Sequence, residues 1–154
     1  MKVFISGRKV PDETSTSHGE ERVPFEHVIK ECTVIFIAVP LITSTNHLIS
    51  KAEFDNMSRQ SILINVSRGG VVDEEALVAA LKEDRIAGAA TDVFREEPAG
   101  VENSPLLGED TKHLNLTVTP HMAWLAGMTW KVQSEILQKN VEQWVAGNQL
   151  NVIV

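Results

Sequence analysis

Three residues with reactive side chains each follow an apolar, β-branched run. Arg68 comes after residues 61–66 (SILINV), Glu97 after the run 89–94, and His121 after residues 114–119 (LNLTVT). A guanidinium presents a planar fork that grips a carboxylate through two hydrogen bonds at once. An imidazole exchanges a proton at neutral pH, and Pro120 restrains the backbone ahead of His121. A carboxylate bonded to that imidazole orients it and favours its protonated form. An anchor for an acid group, a polariser for its neighbouring carbonyl and a proton for the carbonyl oxygen are what reduction of a 2-keto acid requires, with the hydride supplied by a nicotinamide. Asp92 heads the acidic stretch that contains Glu97 and is placed to meet a ligand amide or hydroxyl. Taken one at a time, each has a plain structural alternative. Arg68 is an ion-pair partner, the 92–97 stretch a solvated loop, and His121 a packing residue. Their emergence from successive strands on one edge favours the chemical reading.

The elements that must position them alternate between strand and helix. Strands are expected at 2–6, 33–39, 61–66, 89–94 and 114–119, with a short edge strand near Val23-Pro24-Phe25. The runs at 33–39 and 61–66 are continuously apolar, the mark of strands buried on both faces. Helices are expected at 26–31, after the Ser50–Glu53 capping box with Phe54 and Met57 inward, after the Asp73 cap with Leu77, Ala80 and Leu81 inward, and at 125–146 ahead of Gly147. The last helix carries an apolar stripe of Trp130, Leu137, Val141 and Trp144. Residues 11–20 read as an exposed loop. The fold class is therefore α/β, a Rossmann-type parallel sheet with helices on both faces. Such sheets bind ligands at the carboxyl ends of their strands.

Composition excludes several classes. The chain has 154 residues, 43% of them hydrophobic, and a net charge of -7. That charge disfavours nucleic acid and anionic membranes as partners. No apolar run is long enough to span a bilayer, and Met1–Ile5 is too short for a signal segment, so a cytoplasmic setting is expected. Cys32 is the sole cysteine, precludes an internal disulfide and is read as a structural thiol. His18, His27, His47 and His113 are read as surface residues, and no metal is expected.

Asn65 to Glu74 (NVSRGGVVDE), Gly88 to Phe94 (GAATDVF) with Glu97-Pro98, and Thr119-Pro120-His121 occur in that order, with 29 positions from Arg68 to Glu97. This succession resembles the signatures of the D-isomer-specific 2-hydroxyacid dehydrogenases over essentially the whole chain. The resemblance implies that Arg68 binds the substrate carboxylate and carbonyl, that His121 is the acid/base and that Glu97 is its partner. It implies that Asp92 meets the nicotinamide amide, that Val39 and Pro40 line the adenosine side, and that Val66 and Ser67 touch the cofactor. His121-Met122-Ala123-Trp124 is similar to the version in some glycerate dehydrogenases and in the C-terminal-binding corepressors; Trp124 would wall a small substrate pocket or pack in the core. At the end of the first strand, Ser6-Gly7-Arg8 offers a cation and no carboxylate for the ribose, as in NADPH-using glyoxylate/hydroxypyruvate reductases. NADP is therefore favoured over NAD.

The chain departs from that family at its start. It begins at the family's second strand, without GxGxxG and without the substrate domain, so residues 1–154 are expected to be a partial NAD(P)-binding domain. In a 3-2-1-4-5-6 sheet the absent strand is central. Its absence would leave open edges, residues 1–25 least securely packed and the last helix unusually apolar at its surface. The resemblance implies a homodimer and a small 2-keto or 2-hydroxy acid as partner. A fragment of this kind is expected to be weakly active or inactive. The rival readings are a nucleotide-binding module without turnover, like the corepressors, and a fragment that completes another subunit.

Overall fold

The computed structural model describes residues 2–9 and 22–152, and the chain divides into two compact units, Met1–His121 and Met122–Val154. The loop expected at 11–20, and His18 within it, lie outside the described residues.

In the first unit the described elements are β1 (Ile5–Ser6), β2 (Arg22–Val23), α1 (Phe25–Glu31), β3 (Val34–Ile37), α2 (Lys51–Asn56), β4 (Ile62–Asn65), α3 (Glu74–Lys82), β5 (Gly88–Thr91) and β6 (Leu116–Val118). β1 and β2 form a parallel pair, and β3-β4-β5-β6 form a parallel sheet in chain order. Val34 pairs with Ile62, Ile62 with Gly88, and Ala89 with Leu116. Parallel strands in sequence order place all four carboxyl ends on one edge, and each return path passes through the opposite edge.

The helices close over one face. Ile35, Ile37 and Leu63 point into a core shared with Phe25, Ile29, Phe54, Met57, Leu77, Ala80 and Leu81. The capping box forms, the Ser50 amide donating to Glu53 Oε2 at 3.0 Å. Asp73 caps α3 by accepting the Ala76 amide at 3.1 Å, and the Ser50 hydroxyl donates to its other carboxylate oxygen at 2.9 Å. The two helix starts are thus tied to each other as well as to their own first turns.

Several expectations need correction. The strands are shorter than their apolar runs: β3 is 34–37, β4 is 62–65, β6 is 116–118, β1 only 5–6, and β5 ends at Thr91 rather than Phe94. Phe94 is buried all the same, because the segment after β5 folds back over the core. β3 is not buried on both faces. Ile35 and Ile37 are buried, whereas Val34 is 50% and Phe36 65% exposed, and Ile62 on β4 shares their exposure. Hydrophobic runs encode capacity for burial on both sides, but among the described residues of the first unit no helix covers this face. Cys32 is half-buried, and burial followed by the charge of Glu31 pushes its thiol up from the ordinary value. His27, His47 and His113 are exposed, as expected.

The second unit is dominated by α4 (Gly127–Val145), with Gly147 in the left-handed conformation at φ 78°. No residue of α4 is buried, and Trp130, Leu137, Val141 and Trp144 are all exposed, matching the apolar surface expected for this helix. No described helix is long and apolar enough to cross a membrane.

The two faces of the sheet should differ in mutational cost. Leu63→Ala is expected to lower unfolding free energy by about 2–5 kcal/mol, and Phe36→Ser by less than about 0.5 kcal/mol. Urea denaturation followed by circular dichroism measures both, and equal losses would contradict the exposed face.

Candidate active site

The carboxyl edge of the sheet collects the expected residues of the first unit. Val39 and Pro40 follow β3, Val66, Ser67 and Arg68 follow β4, Asp92 follows β5, and His121 lies beyond β6. Parallel pairing alone brings these segments, distant in sequence, to adjacent strand ends.

The segment after β4 is shaped by Asn65, the last residue of the strand and buried. Its side-chain oxygen accepts the Ser67 amide at 3.1 Å and the Ser67 hydroxyl at 2.9 Å, while its side-chain nitrogen donates to the Arg68 carbonyl at 3.0 Å. Ser67 is therefore half-buried and bonded, and Val66 is turned outward. Arg68 is exposed in an extended conformation, its Nη1 donating to the Ser67 carbonyl at 2.7 Å. A glycine then becomes obligatory. A Cβ on Gly69 would sit 1.9 Å from the Phe94 carbonyl carbon and 2.4 Å from the Arg95 nitrogen. Gly69 thus permits the close approach of another backbone segment.

That segment carries Glu97. The Phe94 amide donates to Glu97 Oε1 at 3.0 Å, and Glu97 Oε2 lies 2.7 Å from His121 Nδ1. The bond to His121, then the Phe94 amide, then the charges of His121 and Arg68 hold the Glu97 carboxyl below the ordinary carboxylate value. Arg68 is thus within electrostatic reach of the pair. The Glu97–Pro98 peptide is cis.

His121 is fixed through its backbone. Its amide donates to the Asp92 carbonyl at 2.7 Å and to the Thr119 carbonyl at 3.1 Å, and its φ is 53°. Left-handed backbone in a residue other than glycine is uncommon and costs free energy, so its persistence points to a conformation enforced by its surroundings. Asp92 is buried, and its carboxylate accepts the Thr119 hydroxyl, locking the end of β5 to the end of β6. The structure therefore brings Glu97 and His121 together, with Arg68 near and Asp92 beneath.

The remaining expected residues are placed as follows. Ser6 and Gly7 sit at the end of β1, where the Gly7 amide donates to the Val23 carbonyl at 2.8 Å; Arg8 is exposed beside them. Arg22 donates to the Ser6 carbonyl at 2.8 Å, putting a second cation at that strand end. Val39 is half-buried, and the Pro40 carbonyl accepts the Thr45 hydroxyl at 2.6 Å. Trp124 belongs to the second unit, where its ring centroid lies 5.7 Å from that of Trp130. Sequence reasoning did not single out Asn65, Thr119 or Glu74 as site residues. A polar residue ending an apolar strand was the available signal for Asn65.

Comparison with known proteins accords with this geometry. Residues 1–123 match the family described as D-isomer specific 2-hydroxyacid dehydrogenase, NAD binding domain. The chain is 40% identical to the glycerate dehydrogenase of Methylorubrum extorquens over 131 residues, covering 85% of this chain and 41% of that protein. It is 38% identical to the glyoxylate reductase of Thermococcus litoralis over 147 residues, covering 96% of this chain and 43% of that protein. Among solved structures, a D-isomer specific 2-hydroxyacid dehydrogenase from Xanthobacter autotrophicus Py2, in complex with NADPH and MES, superposes with a TM-score of 0.66 and 33% identity, covering 83% of this chain and 51% of that one. The chain spans about two fifths of the length of the two curated relatives. By this match, over most of its length, the chain belongs to the D-isomer specific 2-hydroxyacid dehydrogenase family and falls in its NAD binding domain.

Proposed function

We propose that this chain supplies the catalytic half of an NAD(P)-dependent reductase that converts small 2-keto acids, of the glyoxylate or hydroxypyruvate kind, to D-2-hydroxy acids in the cytoplasm, and that it works as a homodimer. The observation that carries the reading is the 2.7 Å contact between His121 Nδ1 and Glu97 Oε2 at the carboxyl edge of the sheet. A carboxylate held below its ordinary value is ionised at neutral pH and only accepts, so Nδ1 carries the shared proton. Nε2 is then the ring nitrogen that passes a proton to the carbonyl oxygen as hydride reaches the carbon. Arg68 anchors the substrate carboxylate and adds positive charge beside the developing alkoxide.

The residues present suit one part of a dinucleotide. Ser6, Gly7 and Arg8 would hold the adenosine ribose, Val39 and Pro40 its base side, and Val66, Ser67 and Asp92 the nicotinamide half. The nicotinamide supplies the hydride. Arg8 and Arg22 at the end of β1, with no carboxylate among Ser6-Gly7-Arg8, favour NADP over NAD by offering cations to a 2′-phosphate. A second reading, an interaction module without turnover, is favoured by the exposed apolar residues Val34, Phe36 and Ile62.

The gene product that carries this chain is expected to oxidise NADPH in the presence of glyoxylate or hydroxypyruvate. His121→Ala is expected to lower kcat by about 10²- to 10⁴-fold while leaving the dissociation constant for NADPH unchanged in a fluorescence titration. Undiminished turnover in that variant would sink the acid/base assignment, and absence of turnover in the unaltered protein would favour the second reading. Arg8→Asp is expected to move the ratio of kcat/KM values toward NADH, by a margin read from paired assays with the two cofactors.

A further inference from the structure

Glu74 opens α3 and is 3% exposed, yet it forms no ion pair among the described contacts. Both of its carboxylate oxygens are engaged elsewhere. Oε1 accepts the backbone amide of Arg95 at 2.6 Å, and Oε2 accepts the Ser104 hydroxyl at 2.7 Å. Ser104 is itself buried, so the carboxylate spans the start and the end of the loop that contains Glu97. The amide that Glu74 accepts belongs to the Phe94–Arg95 peptide. The same peptide packs against Gly69, where an added Cβ would meet its atoms at 1.9, 2.1 and 2.4 Å. One peptide unit is therefore held from two sides, by an acceptor on α3 and by a side-chain-free Cα on the turn after β4. The next amide back, that of Phe94, donates to Glu97 Oε1.

We infer that Glu74, working against Gly69, clamps the Phe94–Arg95 peptide and thereby aims the Glu97 carboxylate at His121. Glu74 is a positioning residue. It acts through the backbone from which Glu97 is suspended. A carboxylate suits this place because it accepts from an amide and a hydroxyl at once, and because the start of a helix stabilises its negative charge. Removing Glu74 takes away the acceptor of the Arg95 amide and of the hydroxyl of buried Ser104, so the loop is expected to rearrange. The turn that presents Arg68 and the loop that presents Glu97 then share one point of registration. The inference rests on the proposed pairing of Glu97 with His121.

The test is the titration of the Glu97 carboxyl, followed by carbon NMR in the full chain labelled at glutamate and assigned with Glu97→Gln. His121→Ala is the reference, because it removes the bond that most strongly holds Glu97 down, leaving the Phe94 amide and Arg68 in place. Glu74→Ala is expected to raise the Glu97 midpoint by the greater part of the His121→Ala rise. Glu74→Asp, one methylene shorter, is expected to do the same and stands in if the alanine variant does not fold. Glu74→Gln retains an acceptor for Arg95 and a donor for Ser104, so it is expected to fold and to leave the midpoint near that of the unaltered chain. A folded Glu74→Ala or Glu74→Asp chain with an unmoved midpoint overturns the inference. So does a Glu74→Gln chain whose midpoint rises as far as that of His121→Ala. If His121→Ala itself leaves Glu97 unmoved, it is the proposed acid/base pair that fails, independently of Glu74.

Discussion

A carboxylate and an imidazole 24 residues apart can meet at 2.7 Å only if the strands that deliver them end side by side. Here β5 and β6 are hydrogen-bonded neighbours, with Thr91 opposite Val118, and both run toward the same edge. The Glu97–His121 contact is a consequence of that parallel register. A slip of one position would turn each side chain to the other face. Asp92 guards against such a slip, since its carbonyl accepts the His121 amide and its carboxylate accepts the Thr119 hydroxyl.

Around this contact the protein uses buried polar groups as struts. Asn65 shapes the turn that presents Arg68, and Glu74 holds the loop that presents Glu97. Each engages backbone groups of the segment it shapes, and among the described residues no buried side-chain nitrogen or oxygen lacks a hydrogen-bond partner. A satisfied polar network fixes direction more narrowly than apolar packing does, because hydrogen bonds weaken steeply with angle. The site is thereby oriented before any ligand arrives, which is what electrostatic assistance to a developing charge demands.

The outward face of β3 and β4 tells the opposite story. Val34, Phe36 and Ile62 have the composition of buried strand residues and stand exposed. Their composition suits burial, and the described residues of the first unit leave them uncovered. Parallel sheets are ordinarily covered on both faces, so this face of the first unit departs from the usual arrangement. In the second unit, taken by itself, no residue of α4 is buried.

Much of this was legible in the chain. Apolar run lengths and capping residues located the strands and helices, since a helix start needs an acceptor for orphan amides and a buried strand needs β-branched apolar residues. The order Arg68, Glu97, His121 at successive strand ends marked the edge where the structure places the Glu97–His121 contact. Two things lay beyond sequence. Where β5 gives way to its loop depends on Gly69 meeting the Phe94–Arg95 peptide, a contact between segments that local propensity does not sense. The role of Glu74 was invisible for the same reason: an acid in a first turn reads as a partner for the helix dipole, and only the path of a loop 21 residues away converts it into a clamp. Local physics is written in neighbouring residues, whereas direction at the site comes from groups that become neighbours only when the sheet closes.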